Sequence, residues 1–356
     1  MITNNRVFEK KKFLDTLNSN DRFKQCDYFC MFSRQGLYAY LKDLDYKSVL
    51  LPSYVAEGVI DPFKKLGYKI LFYDVDANGY VIPKSLEQRV DVFVYIHYYG
   101  LYNEKNLKII EQYRSNFSLF IEDYAHVVFD KNIELNGDIC LFSFTKIFGV
   151  IDGSCILFNK TNPKSAIYLK NKSVTRKLRT SLYLEKIFLS YCGFLKNSKN
   201  IYVVARRIFS MNWFWYPLLM SSYDYNYPQM SSRSFQTLLH LKMDSIIQTR
   251  KKYARLYLSH LHPALLFDVP KQYYEKHGLF AFPIKLLQRD DFLKVLTKKG
   301  VGAFTLTGKW WFNEQGNKDL YSLHILLPIN HYLKEHEIMT VIEQVNCAYE
   351  SFQGTK

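Results

Sequence analysis

Apolar positions along this chain fall into two alternating textures: short unbroken runs, and longer stretches with helical spacing. The runs Ser48 to Leu51, Lys69 to Asp74 and Val90 to His97 are rich in β-branched and aromatic residues and predict strands, the last of them buried on both faces. Gln35 to Leu44, Val55 to Leu66 and Glu104 to Arg114 repeat their apolar residues at helical period and predict helices between those strands. Leu119 to Glu122, Ile139 to Phe144 and Cys155 to Phe158 continue the strand series. A βα rhythm of this kind predicts an α/β fold with a mostly parallel sheet, in which function gathers beyond the strand C-terminal ends. Ser33, Pro52, His97, Asp123 and Ser143 fall at those ends.

The texture changes twice further on. After Asn159 the chain is basic and helical to about Tyr223, and Ser231 to Leu261 predicts one sustained helix. From Phe267 a shorter alternation begins, with strands at Leu279 to Ile284 and Tyr321 to Leu327 and helices at Arg289 to Lys299 and Lys334 to Ser351. The expected organisation is a large domain over 1–261, interrupted by a basic aromatic insert near 160–222, and a small C-terminal α+β domain over 262–356. A chain of 356 residues with 48% hydrophobic content can bury a core of that size.

Composition narrows the setting. Cys26, Cys30, Cys140, Cys155, Cys192 and Cys347 show no paired spacing, so neither disulfides nor a zinc site is expected. The first twelve residues are polar, and no apolar run approaches a membrane span, which predicts a cytoplasmic protein. The formal net charge is +15, much of it between Lys160 and Arg207, where twelve Lys or Arg stand against the single acid Glu185. That segment is also aromatic, and two readings stay open. It is either a contact for something anionic, such as a membrane surface, nucleic acid or phosphorylated substrate, or a solvated helix pair packed through its aromatic face.

The candidate chemistry lies at the strand ends. Lys146 follows an apolar strand in Phe142-Ser143-Phe144-Thr145-Lys146, shortly after Ile121-Glu122-Asp123-Tyr124-Ala125-His126. Pyridoxal phosphate (PLP) needs a lysine amine, a carboxylate for its pyridine nitrogen, and hydroxyl or N–H donors for its phosphate. Lys146, Asp123, Ser143 and the helix start at Ser33-Arg34-Gln35-Gly36 supply one candidate for each need. His97 reads equally as a structural histidine or a substrate contact. Arg250 fits a solvated helix face better than a carboxylate clamp, and Trp310 and Trp311 fit packing between lobes better than a substrate entrance. There is no metal-ligand spacing and no GxGxxG or Walker-type loop.

With these pieces in order, the chain resembles the DegT/StrS-type sugar aminotransferases, PLP enzymes of the aspartate-aminotransferase-like fold type I. Ser33-Arg34-Gln35-Gly36-Leu37 is similar to the family's phosphate-binding helix start, and Val49-Leu50-Leu51-Pro52-Ser53-Tyr54 to its "VIVPS" strand and loop. Ile96-His97-Tyr98-Tyr99-Gly100 resembles "VHLYG", and Ile121 to His126 resembles "IEDAAQ/H". Gly137 to Ser154, Tyr225-Asn226-Tyr227 with Met230-Ser231, and Leu326-Leu327-Pro328 follow the family's later motifs, while 160–222 matches none. The chain departs from the pattern in a shorter spacer before the lysine, in Ser154 for a glycine, and in Arg34 and Gln35 for small residues.

The resemblance implies a homodimeric transaminase that moves an amino group from glutamate to a nucleotide-linked keto sugar in polysaccharide or glycoconjugate synthesis. Lys146 would hold the cofactor and act as base, Asp123 would pair with the pyridine nitrogen, and His126 would contact the phenolic oxygen. Ser143 and the backbone N–H groups of Arg34 and Gln35 would bind the phosphate, with Asn226 reaching that of the neighbouring subunit. Tyr54 would cover the ring, although the family's stacking aromatic aligns closer to Ala56. Peripheral contact with an anionic membrane is a secondary expectation for the insert, and no nucleic-acid role is expected. Two rivals stay open: a PLP enzyme acting on a non-sugar ketone, and a non-catalytic relative serving as a binding or scaffold protein.

Overall fold

A computed structural model describes residues 28–130, 133–150, 152–160, 230, 232–306, 311–312 and 318–354. The basic aromatic insert beyond residue 160, Asn226 and Trp310 lie outside the described residues. The chain opens with β1 (Tyr28–Cys30), α1 (Ser33–Leu41), β2 (Ser48–Pro52), β3 (Val55–Ala56), α2 (Glu57–Lys65) and β4 (Lys69–Tyr73). It continues through β5 (Val90–Ile96), α3 (Glu104–Gln112), β6 (Phe117–Asp123), β7 (Ile139–Ser143) and β8 (Ser154–Phe158). Seven strands form one sheet in the order β1-β8-β7-β6-β5-β2-β4. Pairings from β4 through β7 are parallel, and β8 and β1 close one edge antiparallel. The predicted mostly parallel α/β sheet is therefore present.

Alternation along the strands builds two cores. Ile139 and Leu141 of β7, with Ile156 of β8, join the larger apolar cluster, whereas Cys140, Phe142, Cys155 and Leu157 join a second. Successive side chains point to opposite faces, so the two clusters occupy the two sides of this part of the sheet. Burying each large apolar side chain contributes about 1.5–3 kcal/mol, which is why these runs carry no polar interruption until the strand ends. Helix α1 lies against β8 and β1 at Gly36, where an added Cβ would come within 2.4 Å of Ile156 Cδ1 and 2.5 Å of Cys30 Sγ. Only glycine permits that approach.

The remaining elements are α4 (Ser232–His240), α5 (Met243–His260), α6 (Gln272–Glu275), β9 (Phe282–Lys285), α7 (Arg289–Lys298), β10 (Trp311–Phe312), α8 (Asp319–Leu323), β11 (His324–Leu327) and α9 (Glu335–Gly354). β9 and β11 form a two-stranded antiparallel sheet in the same segment as α7 and α9. Several expected boundaries shift. The sustained helix of 231–261 divides at Leu241 and Lys242 into α4 and α5. Tyr321 to Leu323 is helical, and the strand starts only at His324, whose Nδ1 bonds the Leu320 carbonyl and ends the helical turn. Val55 and Ala56 pair with Phe312 and Trp311 as a two-residue ribbon instead of opening α2. Cys30, Cys140 and Cys347 are free thiols. The expectation of no disulfide is corrected at Cys155, which is disulfide-bonded; cysteine spacing reports sequence separation, while a bridge depends on proximity in the fold.

Candidate active site

The parallel register sets three strand ends level with one another. Ile96 of β5 stands opposite Asp123 of β6, and Asp123 opposite Leu141 of β7. The Asp123 carboxylate is buried and accepts the Ala125 N–H at 2.8 Å, which fixes its orientation. Beyond β7 the chain makes one tight turn, in which the N–H groups of Ile147 and Phe148 both bond the Phe144 carbonyl, at 3.2 and 2.8 Å. Phe144, Ile147 and Phe148 anchor this turn in the core, while Lys146 stays open to solvent at its crest.

Lys146 is exposed as a residue, yet protein packed around its amine desolvates it. That desolvation lowers its pKa against the opposing pull of the Asp123 charge. Desolvation likewise raises the Asp123 pKa, opposed by Lys146, the Ala125 N–H and His97. The two groups the sequence picked out therefore feel each other directly.

His126 follows Asp123 by three residues and is buried between aromatic rings. It runs nearly parallel to Phe280, 5.1 Å away at 14°, and to Tyr99, 6.3 Å away at 6°. Its Nδ1 accepts the Tyr99 N–H at 3.2 Å, which assigns the ring proton to Nε2 and makes that nitrogen a donor. Burial, with Lys146 and His324 adding to it, holds the His126 pKa well below its ordinary value, so the ring is neutral. Presenting this N–H requires Tyr99 to adopt φ of 60°, a left-handed conformation uncommon outside glycine and a mark of local strain. At the following Gly100, φ is 95° and an added Cβ would lie 2.4 Å from the His126 carbonyl oxygen.

At the other end of the cleft, α1 starts beside β7. The Ser33 hydroxyl donates to the Phe142 carbonyl at 3.3 Å, and Ser143 Oγ lies 3.2 Å from Thr145 Oγ1. The Gln35 backbone N–H is engaged with the Phe32 carbonyl at 3.1 Å. Its side chain is fully buried, with neither amide atom hydrogen-bonded. Arg34 places its guanidinium 5.4 Å from the Phe32 ring centroid.

The fold thus gathers Lys146, Asp123 and His126, and ties Ser143 to the start of α1 through Ser33. Tyr54 packs against Tyr98 with ring centroids 5.3 Å apart. Its ring is fully buried, its hydroxyl donates to the Leu306 carbonyl at 2.8 Å, and His324 Nε2 lies 3.2 Å from that hydroxyl oxygen.

Several contributors escaped sequence reasoning. Glu122 accepts from His97 Nε2 and the Tyr124 hydroxyl, both at 3.1 Å, and from the Asn136 and Gly137 N–H groups at 2.8 and 2.7 Å. His97 is thereby placed in a buried network, stacked 4.1 Å from Tyr124. Ser33 was read at the helix start, whereas Thr145, inside the quoted lysine motif, was given no role and could have been found as a hydroxyl flanking the strand end. Tyr99 gave no such signal, because its role rests on a backbone group, and the solvated face expected for Arg250 is corrected: the side chain is buried on backbone carbonyls.

No protein-family model matches the chain, and no curated protein matches it in sequence. Solved structures match it in fold. TlmJ, an aminotransferase from Streptoalloteichus hindustanus, superposes with a TM-score of 0.60 at 17% identity, over 96% of this chain and 90% of that one. A DegT DnrJ EryC1 StrS aminotransferase from Brucella abortus gives 0.57 at 15% identity, over 97% and 90%. A Streptococcus pneumoniae protein classed with the sugar aminotransferases, in its PLP form, gives 0.59 at 16% identity, over 96% and 91%. The fold of these aminotransferases spans nearly the whole chain.

Proposed function

We propose that the chain is a PLP-dependent aminotransferase acting on a sugar, with Lys146 as the cofactor lysine. One observation carries this reading: an accessible lysine is electrostatically coupled to a buried carboxylate, Asp123, at the ends of adjacent parallel strands, in a fold shared with sugar aminotransferases. The residues present fit the group. Asp123 is a buried carboxylate with one hydrogen bond from Ala125, suited to a cationic ring nitrogen. The Ser33, Ser143 and Thr145 hydroxyls at the β7 end and the start of α1 suit a phosphate, Gln35 of the same helix turn holds two unpartnered amide atoms, and His126 offers an Nε2 donor.

PLP, when bound, supplies a carbon that takes up an amine and a pyridinium ring that draws electrons from the neighbouring carbon. The chain does the rest. Lys146, its pKa lowered by desolvation, holds more of its amine unprotonated and would be the group that takes and returns the proton at the donor Cα. Asp123 in its ionised form keeps a proton on the ring nitrogen. Ser143 and the start of α1, with Arg34, would hold the phosphate, and the aromatic walls at Tyr99 and Phe280 hold His126 in register and exclude water from it. Tyr54 supports this wall from behind through His324 and the Leu306 segment.

The finer reading takes glutamate as amino donor and a nucleotide-linked keto sugar as acceptor, in a cytoplasmic homodimer whose Asn226 reaches the partner's cofactor phosphate. Its support is the motif similarity and the additional cation at Arg34. No helix among the described residues is long and apolar enough to cross a membrane. The test is an absorption spectrum of purified protein with PLP. We expect a visible band that glutamate bleaches, that a nucleotide-linked keto sugar restores, and that Lys146→Ala lacks. A parent protein that develops no band would overturn the reading and favour a binding role for the fold.

A further inference from the structure

Arg250 is a charge in an unusual place. It sits on α5, is 2% exposed, and has no carboxylate partner among the described residues. Burial brings its pKa down to about 10, so it remains charged at neutral pH. A buried guanidinium without a counterion is costly unless its N–H groups are bonded. Two of its three nitrogens bond backbone carbonyls: Nη1 donates to Leu279 at 2.6 Å and Phe280 at 3.1 Å, and Nη2 to Ile147 at 3.4 Å, while the buried Nε has no partner.

These acceptors belong to two segments of the site. Ile147 directly follows Lys146. Phe280 stacks on the His126 ring, and its own N–H is shared between the Tyr99 carbonyl at 3.1 Å and the His126 carbonyl at 3.0 Å. The 278–280 segment is further held by the Val128 N–H bonded to the Gly278 carbonyl at 2.9 Å. One guanidinium therefore joins the turn that presents Lys146 to the segment that walls His126. A lysine could not do this: three carbonyls in two directions need the planar fork of an arginine.

We propose that Arg250 is a positioning residue that locks the Lys146 turn against the His126 wall and so maintains the desolvated setting of the Lys146 amine; this rests on the reading of Lys146 as the cofactor lysine. Arg250 touches neither substrate nor cofactor. Its effect passes through the Ile147 carbonyl.

The test compares the parent protein with Arg250→Met and Arg250→Lys, with Phe292→Leu in the C-terminal core as a control for general destabilisation. Competitive acetylation of the cofactor-free proteins across pH, read at Lys146 by mass spectrometry, reports the amine's titration midpoint. The rate at which the visible band forms with PLP reports its placement. Arg250→Met is expected to keep its circular dichroism, raise the Lys146 midpoint and slow band formation by roughly tenfold to a hundredfold. Arg250→Lys should recover part of both, and Phe292→Leu should move neither. A folded Arg250→Met with parental midpoint and rate overturns the proposal. If Arg250→Met does not fold, a parental midpoint in Arg250→Lys overturns it instead. Acetylation needs no PLP, so a parent protein that never binds PLP sinks the proposed function and leaves the Arg250 assignment to be decided by the midpoints.

Discussion

Glu122 and Asp123 are neighbouring carboxylates on one buried strand, and the fold sends them to opposite fates. Glu122 receives two side-chain donors and two backbone N–H groups. Burial alone would raise its pKa, but the His97 bond and charge, with the Gly137 and Asn136 N–H groups, bring it below the ordinary carboxylate value. Asp123 receives one N–H bond, from Ala125, and burial wins over Lys146, leaving its pKa raised. Full satisfaction marks a structural carboxylate. Incomplete satisfaction, with a cation nearby, is what the cofactor role proposed for Asp123 requires, and diverging pKa values within a pair accompany such divisions of roles.

The sharpest way to break the comparison is to remove each charge in turn. Asp123→Asn should lower transaminase kcat by roughly 10²–10⁴-fold with no loss of stability, because it removes a buried charge the fold does not compensate. Steady-state kinetics and urea unfolding together check this, and an active Asp123→Asn protein would place the essential carboxylate elsewhere. Glu122→Gln should do the reverse, costing about 1–3 kcal/mol of unfolding free energy by setting an amide NH2 against the buried Asn136 and Gly137 N–H donors, while kcat per folded molecule changes little.

Acid titration separates the two groups by sign. Glu122, with its folded pKa lowered, gives stability that is present above 4.5 and lost as pH falls through its folded value. Asp123, with its folded pKa raised, favours the folded state as pH falls toward 3.8. His324, at about 4 against 6.5 because burial outweighs its Leu320 bond, loses stability as pH falls from 6.5 toward 4. Its share is roughly 3 kcal/mol by linkage. Urea unfolding across this range should show a loss beginning below pH 6.5 that His324→Gln makes shallower; an unchanged slope would reject His324 as its source. The smallest effect concerns the packing that brings α1 to the cleft. Gly36→Ala should cost about 1–3 kcal/mol by overpacking against Ile156 and Cys30, measurable as a lower Tm.

Much of this was legible before any coordinates. The strands at Val90 and Ile139 lie within a residue of expectation because uninterrupted apolar runs have one stable home, the middle of a two-layered sheet. Asp123 and Lys146 were legible because strand ends in a parallel sheet converge on one side. The helical start at Tyr321 was hidden, since Tyr321 is held by Arg289 and Tyr54 from distant segments. Gln35 was read for its backbone N–H, whereas the structure engages that group with Phe32 and leaves the side chain unpartnered.

The amino-acid sequence by itself determined the alternating elements, the sheet they form, and the residues brought to its strand ends, because hydrophobic period and turn chemistry act locally. Only the tertiary structure decided which of two adjacent carboxylates is saturated, which histidine nitrogen donates, and that a helix arginine is a buried clamp rather than a solvated charge. Those outcomes depend on hydrogen-bond partners and solvent exclusion contributed by segments distant in the chain, and no local pattern records them.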